Sequence, residues 1–134
     1  MANLFSSDVH VISDDTNYKT TINAGKHSIV SDEPSDLGGG DLGLMPTQLL
    51  AGALGACTSI TLRMYAERKQ FPLENVEVFV NIDKISPEEN KFVRKLKLTG
   101  VLTDEQKERL MQVANACPVH KIISGKVQIE TSWA

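Results

Sequence analysis

The sequence predicts an α+β fold. Three observations carry this: short β-branched stretches open the chain, a long proline-free apolar run follows Pro46, and two period-two runs precede a second helical signal. Residues 8–12 and 17–23, with Val9, Val11, Thr20, Thr21 and Ile22, read as strands joined by a turn over Asp14–Asn17. Asn23-Ala24-Gly25-Lys26 is a turn signal, after which residues 27–30 return as a third strand. From Ser31 to Leu44 the composition changes to Asp, Gly, Pro and Ser, so this stretch is expected to be a mobile loop with Gly38-Gly39-Gly40 as a flexible turn.

Pro46 suits the first turn of a helix, and no further proline occurs from Thr47 to Gln70. Leu49, Leu50, Ala53, Leu54, Ala56, Cys57, Ile60, Leu62 and Met64 cover most of its circumference, which predicts a helix buried nearly all round. Arg63, Glu67, Arg68 and Lys69 mark where it emerges into water, the cations at the end that the helix dipole favours. Val76–Ile82 and Phe92–Leu102 alternate with period two, and Pro87–Asn90 reads as the hairpin connection between them. Thr103-Asp104-Glu105-Gln106 is a capping box, and Leu110, Val113, Ala114 and Cys117 follow at helical spacing. Gly125 then precedes Val127, Ile129 and Thr131, which predict a final strand.

A chain of 134 residues fits one domain over 1–134, and at this size roughly two-thirds of the unfolded surface can be buried without disulfide staples. With 41% hydrophobic residues, 23% charged residues and a formal charge of -3, the composition argues against disorder and against a nucleic-acid partner. No apolar run is read as approaching the roughly 20 residues that span a bilayer, and the N-terminus has no basic segment leading into an apolar one, so no membrane partner is expected. Two cysteines are too few for a secreted disulfide scaffold; the expected setting is the reducing cytoplasm.

Those cysteines are the candidates for chemistry. Cys57 lies inside the long helix among Gly55, Ala56, Thr58 and Ser59, where small neighbours let a substrate or another backbone approach the sulfur. It can equally be a small hydrophobe at a helix crossing, and a mid-helix site offers no dipole to a thiolate. Cys117 precedes Pro118; if a new turn begins there, its sulfur sits where unpaired amide N–H groups favour a thiolate, and otherwise it is a core residue. The pair are 60 positions apart, and the sequence leaves open whether their Cα atoms approach within the roughly 7 Å that a disulfide requires. His120 follows Cys117 by three positions, but no CxxC or HxxxH spacing accompanies it, so no metal is expected. His27, before Asp32-Glu33, can be read as a base or as a solvated loop histidine. No phosphate-binding glycine pattern surrounds the triple glycine, and no cofactor is implied.

Met45-Pro46-Thr47-Gln48-Leu49-Leu50, Leu54-Gly55-Ala56-Cys57-Thr58, Leu62-Arg63-Met64-Tyr65-Ala66 and Ala116-Cys117-Pro118-Val119-His120 resemble the signature blocks of the OsmC/Ohr family. The resemblance extends over nearly the whole chain. It implies an OsmC-like fold in which two central helices, one long and buried, are wrapped by antiparallel sheets in an intertwined homodimer. It also implies a thiol-dependent peroxidase: the cysteine at Cys57 attacks an organic hydroperoxide and becomes a sulfenic acid, the cysteine at Cys117 resolves it as a disulfide, and a dithiol reductant, lipoyl-type in the family, restores both. Peroxidatic relatives pair a Glu, two positions after the helix-starting Pro, with an N-terminal Arg. Here Gln48 holds the first position and no Arg precedes Arg63. Lys19, Lys26, His27 and Arg94 are the candidate substitutes for the cation. The alternative implied by this departure is an OsmC-like ligand-binding or redox-sensing protein with little peroxidase activity.

Overall fold

The computed structural model describes residues 2–134 and shows an α+β protein with antiparallel sheets and three α-helices. By its internal contacts the chain divides into two compact units, residues 1–50 and 51–134. In the first, β1 (His10–Ser13), β2 (Thr20–Ala24) and β3 (His27–Ser31) form an antiparallel meander in the order of the sequence. Ala24 pairs with His27 across a two-residue turn in which Gly25 adopts φ +59°, a conformation that glycine reaches without steric cost.

The stretch expected to be a mobile loop is instead organised around one carboxylate. Asp32 is buried, and its side chain accepts the backbone N–H groups of Glu33 at 2.7 Å, Tyr18 at 3.0 Å and Leu42 at 3.2 Å. Residues 35–37 form a 3-10 turn, and Ser31 bridges Leu44 with its hydroxyl on the Leu44 carbonyl at 2.7 Å. The glycines serve close approach, not flexibility. A Cβ on Gly39 would lie 2.0 Å from the Glu33 carbonyl oxygen, and one on Gly43 the same distance from that of Val30.

The long helix α1 spans Pro46–Lys69. Gln48 caps its start, the side-chain oxygen accepting the Met45 N–H at 2.9 Å. Its buried residues are Leu54, Thr58, Leu62 and Ala66, a single stripe at a spacing of four. The expectation of burial all round is therefore corrected for the single chain: Leu50, Ile60 and Met64 are exposed, because the chain's own elements cover only one side of the helix. The expectation that no segment approaches membrane-spanning length is corrected for α1 alone. Over 18 residues α1 reaches a mean hydropathy of 1.2, so it is long and apolar enough to cross a membrane by length and composition. It passes because its Thr and Ser residues weigh little on such a scale.

In the second unit β4 (Leu73–Ser86) and β5 (Glu89–Gly100) form a long hairpin, closed by Pro87-Glu88 alone where a longer connection was expected. Val76, Val78, Val80 and Ile82 share one face of β4, opposite Leu98, Leu96, Arg94 and Phe92 of β5. Gly55 lets α1 lie close to that face, since a Cβ there would stand 3.5 Å from Val80. The core beside it comprises Leu62, Ala66, Leu73, Leu110, Val113 and Ala114. Helix α2 (Asp104–Val113) starts with the capping box, the Thr103 hydroxyl accepting the Gln106 N–H at 3.1 Å and Gln106 returning to the Thr103 N–H at 3.0 Å. Helix α3 covers Pro118–Ser124.

The final strand does not form within the chain. Residues 126–134 are irregular and exposed, because β4 and β5 pair only with each other and no sheet edge of the chain receives the segment.

Burial works against a charge on Asp32, but the backbone N–H groups of Tyr18, Glu33, Leu42 and Gly40 outweigh it and hold the carboxyl below its ordinary value. A depressed folded-state value stabilises the fold above the unfolded carboxyl's pKa and is lost as the pH falls through the folded one. Urea unfolding of the wild type is expected to weaken below about pH 4. Asp32→Asn is expected to unfold at lower urea at pH 7, with the gap to wild type closing in acid.

Candidate active site

Cys57 sits on α1 one position before Thr58 and is partly exposed, whereas Cys117 is fully buried. Cys117 lies outside the helical stripe in which its spacing placed it. Helix α2 ends at Val113, residues 114–116 form a 3-10 turn, and Cys117 is extended (φ -62°, ψ 132°) as the N-cap of α3. This fulfils the other reading, a sulfur at the start of a new turn: Cys117 Sγ accepts the His120 backbone N–H at 3.3 Å. Pro118 at the first helical position sets that turn, having no N–H of its own to leave unpaired. Cys117 Sγ stands 4.0 Å from the hydroxyl of Thr58, the residue after Cys57 on α1, and both thiols are reduced.

Arg94 joins the segment around Cys117 to α1. Its Nη1 donates to Thr58 Oγ1 at 3.0 Å and to the Ala114 carbonyl at 3.3 Å; its Nη2 donates to Asn115 Oδ1 at 3.1 Å and meets His120 Nδ1 at 3.2 Å. A guanidinium has only donors, so His120 accepts at Nδ1 and carries its proton on Nε2. No carboxylate pairs with Arg94 among the described residues. Thr58 is fully buried, and its hydroxyl lies 2.7 Å from the Leu54 carbonyl and 4.0 Å from Cys117 Sγ. Beside this cluster a cleft of about 280 Å³ is lined by Leu54, Lys91, Phe92, Arg94, His120 and Ile123. Apolar groups thus stand next to cationic ones.

The two thiols are inequivalent. Burial pushes the Cys57 thiol up; the Val119 N–H and the Thr61 hydroxyl oppose this, and the adjacent Cys117 reinforces it. Burial also disfavours a thiolate at Cys117, but the His120 N–H, the Cys57 thiol, the Thr58 hydroxyl and the Val119 N–H together bring it below its ordinary value. The donors around Cys117 thus favour negative charge there, whereas burial disfavours it at Cys57.

Of the supporting candidates, Arg94 is at this cluster. Gln48 is occupied with the Met45 N–H at the start of α1. His27 is exposed beside the β2–β3 turn, and Asp32, its acidic neighbour in sequence, is engaged by backbone amides. Thr58, Asn115 and His120 as a positioned group escaped the sequence reading. One signal was available: Arg94 shares the inward phase of Phe92, Leu96 and Leu98, where a cation requires buried acceptors. No group of three or more His, Cys, Asp and Glu residues suited to a metal occurs among the described residues.

A thiol pair of this kind on an α+β scaffold defines a class of cysteine-centred proteins, and comparison gives the family. The OsmC-like protein family model matches residues 38–132, well over half of the chain, and the protein belongs to the OsmC/Ohr family. The fold is similar to that of an OsmC-like protein from Mycoplasma pneumoniae (TM-score 0.77, 18% identity, covering 92% of this chain and 90% of that one). It is also similar to an organic hydroperoxide resistance protein, OsmC, from Legionella pneumophila (TM-score 0.64, 24% identity, 89% of each chain). A third similar structure is an organic hydroperoxide resistance protein from Elizabethkingia anophelis (TM-score 0.62, 22% identity, 90% of this chain and 89% of that one). No curated protein matches the sequence.

The inequivalence is measurable by thiolate absorbance. In the wild type the first ionisation is expected below the ordinary cysteine value of about 8.5. Loss of Cys117 (Cys117→Ser) is expected to remove that early step, whereas Cys57→Ser is expected to retain an early-ionising thiol.

Proposed function

We propose that the protein is a thiol-dependent peroxidase that reduces organic hydroperoxides to alcohols. The observation that carries this reading is the placement of Cys117 Sγ beside Thr58, the residue after Cys57 on α1, with the more accessible sulfur at Cys57. In the proposed cycle Cys57 attacks the terminal peroxide oxygen as its thiolate. The O–O bond breaks, the alkoxide leaves and takes a proton to become the alcohol, and Cys57 becomes a sulfenic acid. Cys117 then attacks the Cys57 sulfur, water leaves, and a disulfide forms. A dithiol, lipoyl-type by family resemblance, returns two electrons and is itself oxidised to a disulfide. Neither cysteine lines the cleft, but it adjoins Arg94 and His120, and its side formed by Leu54, Phe92 and Ile123 suits an alkyl group.

In this reading a second copy of the chain completes the protein. The exposed Leu50, Ile60 and Met64 of α1, and the unpaired tail with Val127, Ile129 and Trp133, support a homodimer that buries them. The expected place of action is the cytoplasm, where such thiols stay reduced.

Consumption of cumene hydroperoxide with dithiothreitol as reductant tests the role of each sulfur. Cys57→Ser is expected to abolish it, whereas Cys117→Ser is expected to complete one turnover and leave a trappable sulfenic acid on Cys57. Equal multiple-turnover activity in both variants would overturn the assignment. With both thiols confirmed as reduced, no turnover by the wild type would favour ligand binding or redox sensing instead.

The raised value of Cys57 has a kinetic counterpart. Its nucleophilic form gains population only as the pH climbs past the ordinary cysteine range. Single-turnover oxidation of Cys57 is expected to accelerate across that range, and a rate flat from about pH 6 upward would contradict it.

A further inference from the structure

The Arg94–Thr58 contact bears on the reductive half of the cycle, which the proposed peroxidase reading leaves undivided between two sulfurs. A disulfide between Cys57 and Cys117 offers an incoming thiolate two points of attack, and the sulfur not attacked must depart with the electron pair. We propose that Arg94 and Thr58 are positioning residues that make Cys117 the departing sulfur, so that the reductant bonds to Cys57. The inference rests on the peroxidase reading only for the existence of that disulfide.

Access is the first argument. Cys117 is 0% exposed, whereas Cys57 is only partly covered. Within one protomer a thiolate attacking in line with the S–S bond has an approach to Cys57 and no comparable one to Cys117.

The second argument is what awaits each sulfur when it leaves. Around Cys117 the His120 N–H is already directed at Sγ at 3.3 Å, and the Thr58 hydroxyl stands 4.0 Å away. Thr58 has one proton. With a neutral thiol opposite, that proton lies on the Leu54 carbonyl at 2.7 Å; a sulfur carrying negative charge is the stronger acceptor and draws it across. Arg94 Nη1, donating to Thr58 Oγ1 at 3.0 Å, occupies a lone pair of the oxygen, leaves its proton free to be given, and makes it a better donor. The remaining Arg94 contacts, to Ala114, Asn115 and His120, hold both ends of the segment that carries Cys117. Cys57 has only the Val119 N–H and the Thr61 hydroxyl to set against its burial.

The step balances as follows. The reductant thiolate forms a bond to Cys57 Sγ, the Cys57–Cys117 bond breaks, and Cys117 departs as a thiolate. The second thiolate of the dithiol then attacks its own sulfur in the mixed disulfide, Cys57 is released, and the reductant becomes a disulfide.

The test begins with the disulfide formed by diamide, so that its outcome is separate from peroxidase activity. Brief treatment with 2-mercaptoethanol, an acid quench and peptide mapping are expected to find the adduct on Cys57 with Cys117 free. An adduct on Cys117, or no bond between the two cysteines after diamide, would overturn the proposal. Thr58→Val, which keeps the side-chain shape, and Arg94→Ala are expected to slow dithiothreitol reduction, because a less acidic departing thiol leaves more slowly. In a Cys57→Ser background the same substitutions are expected to move Cys117 ionisation upward, with Arg94→Lys recovering part of the shift. Unchanged reduction and unchanged ionisation in the Thr58→Val protein would refute the positioning role even if Arg94→Ala fails to fold. Should diamide-oxidised protein behave as expected while hydroperoxides leave both thiols untouched, the peroxidase reading fails and the division of roles stands.

Discussion

A guanidinium set in the apolar phase of a β-strand is the constraint around which the site is arranged. Arg94 faces the same way as Phe92, Leu96 and Leu98, across from Val80, and a charge in such a position is tolerated only if its donors find acceptors. Thr58 on α1 and Ala114, Asn115 and His120 on the segment after α2 provide them. One side chain thereby joins three elements, and the two cysteines stand on two of them. The proximity of the thiols is in this sense a consequence of satisfying Arg94.

The same arrangement explains why the sulfurs differ although both are cysteines in one small site. A thiolate needs donors more than it needs exposure, and Cys117 has them: its extended backbone at the start of α3 aims Sγ at the His120 N–H. Cys57 lies within a helix whose own N–H groups are already paired, so burial is only partly offset there. The more accessible sulfur is the one that meets peroxide and reductant in the proposed cycle, and the more buried one is the one built to bear charge. This division of labour requires no ion pair, and Gln48 serves instead to cap the start of α1.

Much of this was legible from local chemistry. The Thr103–Gln106 capping box, the proline that starts α1, the Gly25 turn and the alternation of β4 and β5 are properties of neighbouring residues; the caps and turn formed in place, and the strands extended up to four residues beyond their expected ends. Cys117 before Pro118 likewise carried its own sign of a turn with amides aimed at sulfur. The misread elements depend on what lies opposite them. The glycine-rich stretch looked mobile because composition does not reveal that Asp32 would collect amides from residues on either side of it. The segment after Gly125 alternates like a strand, but alternation states only which side chains would share a face, and a strand needs an edge to pair with.

The sequence by itself determined the long helix, the β4–β5 hairpin, the capped start of α2, the family resemblance and the two sulfurs worth attention, because helix and turn signals act over a few residues and the signature blocks are contiguous. Tertiary structure alone decided that the Thr58 hydroxyl stands beside Cys117 Sγ and that Arg94 links α1 to the Cys117 segment. Those facts rest on hydrogen bonds spanning 20 to 59 residues of chain, and no local pattern encodes which donor finds which acceptor at such separations.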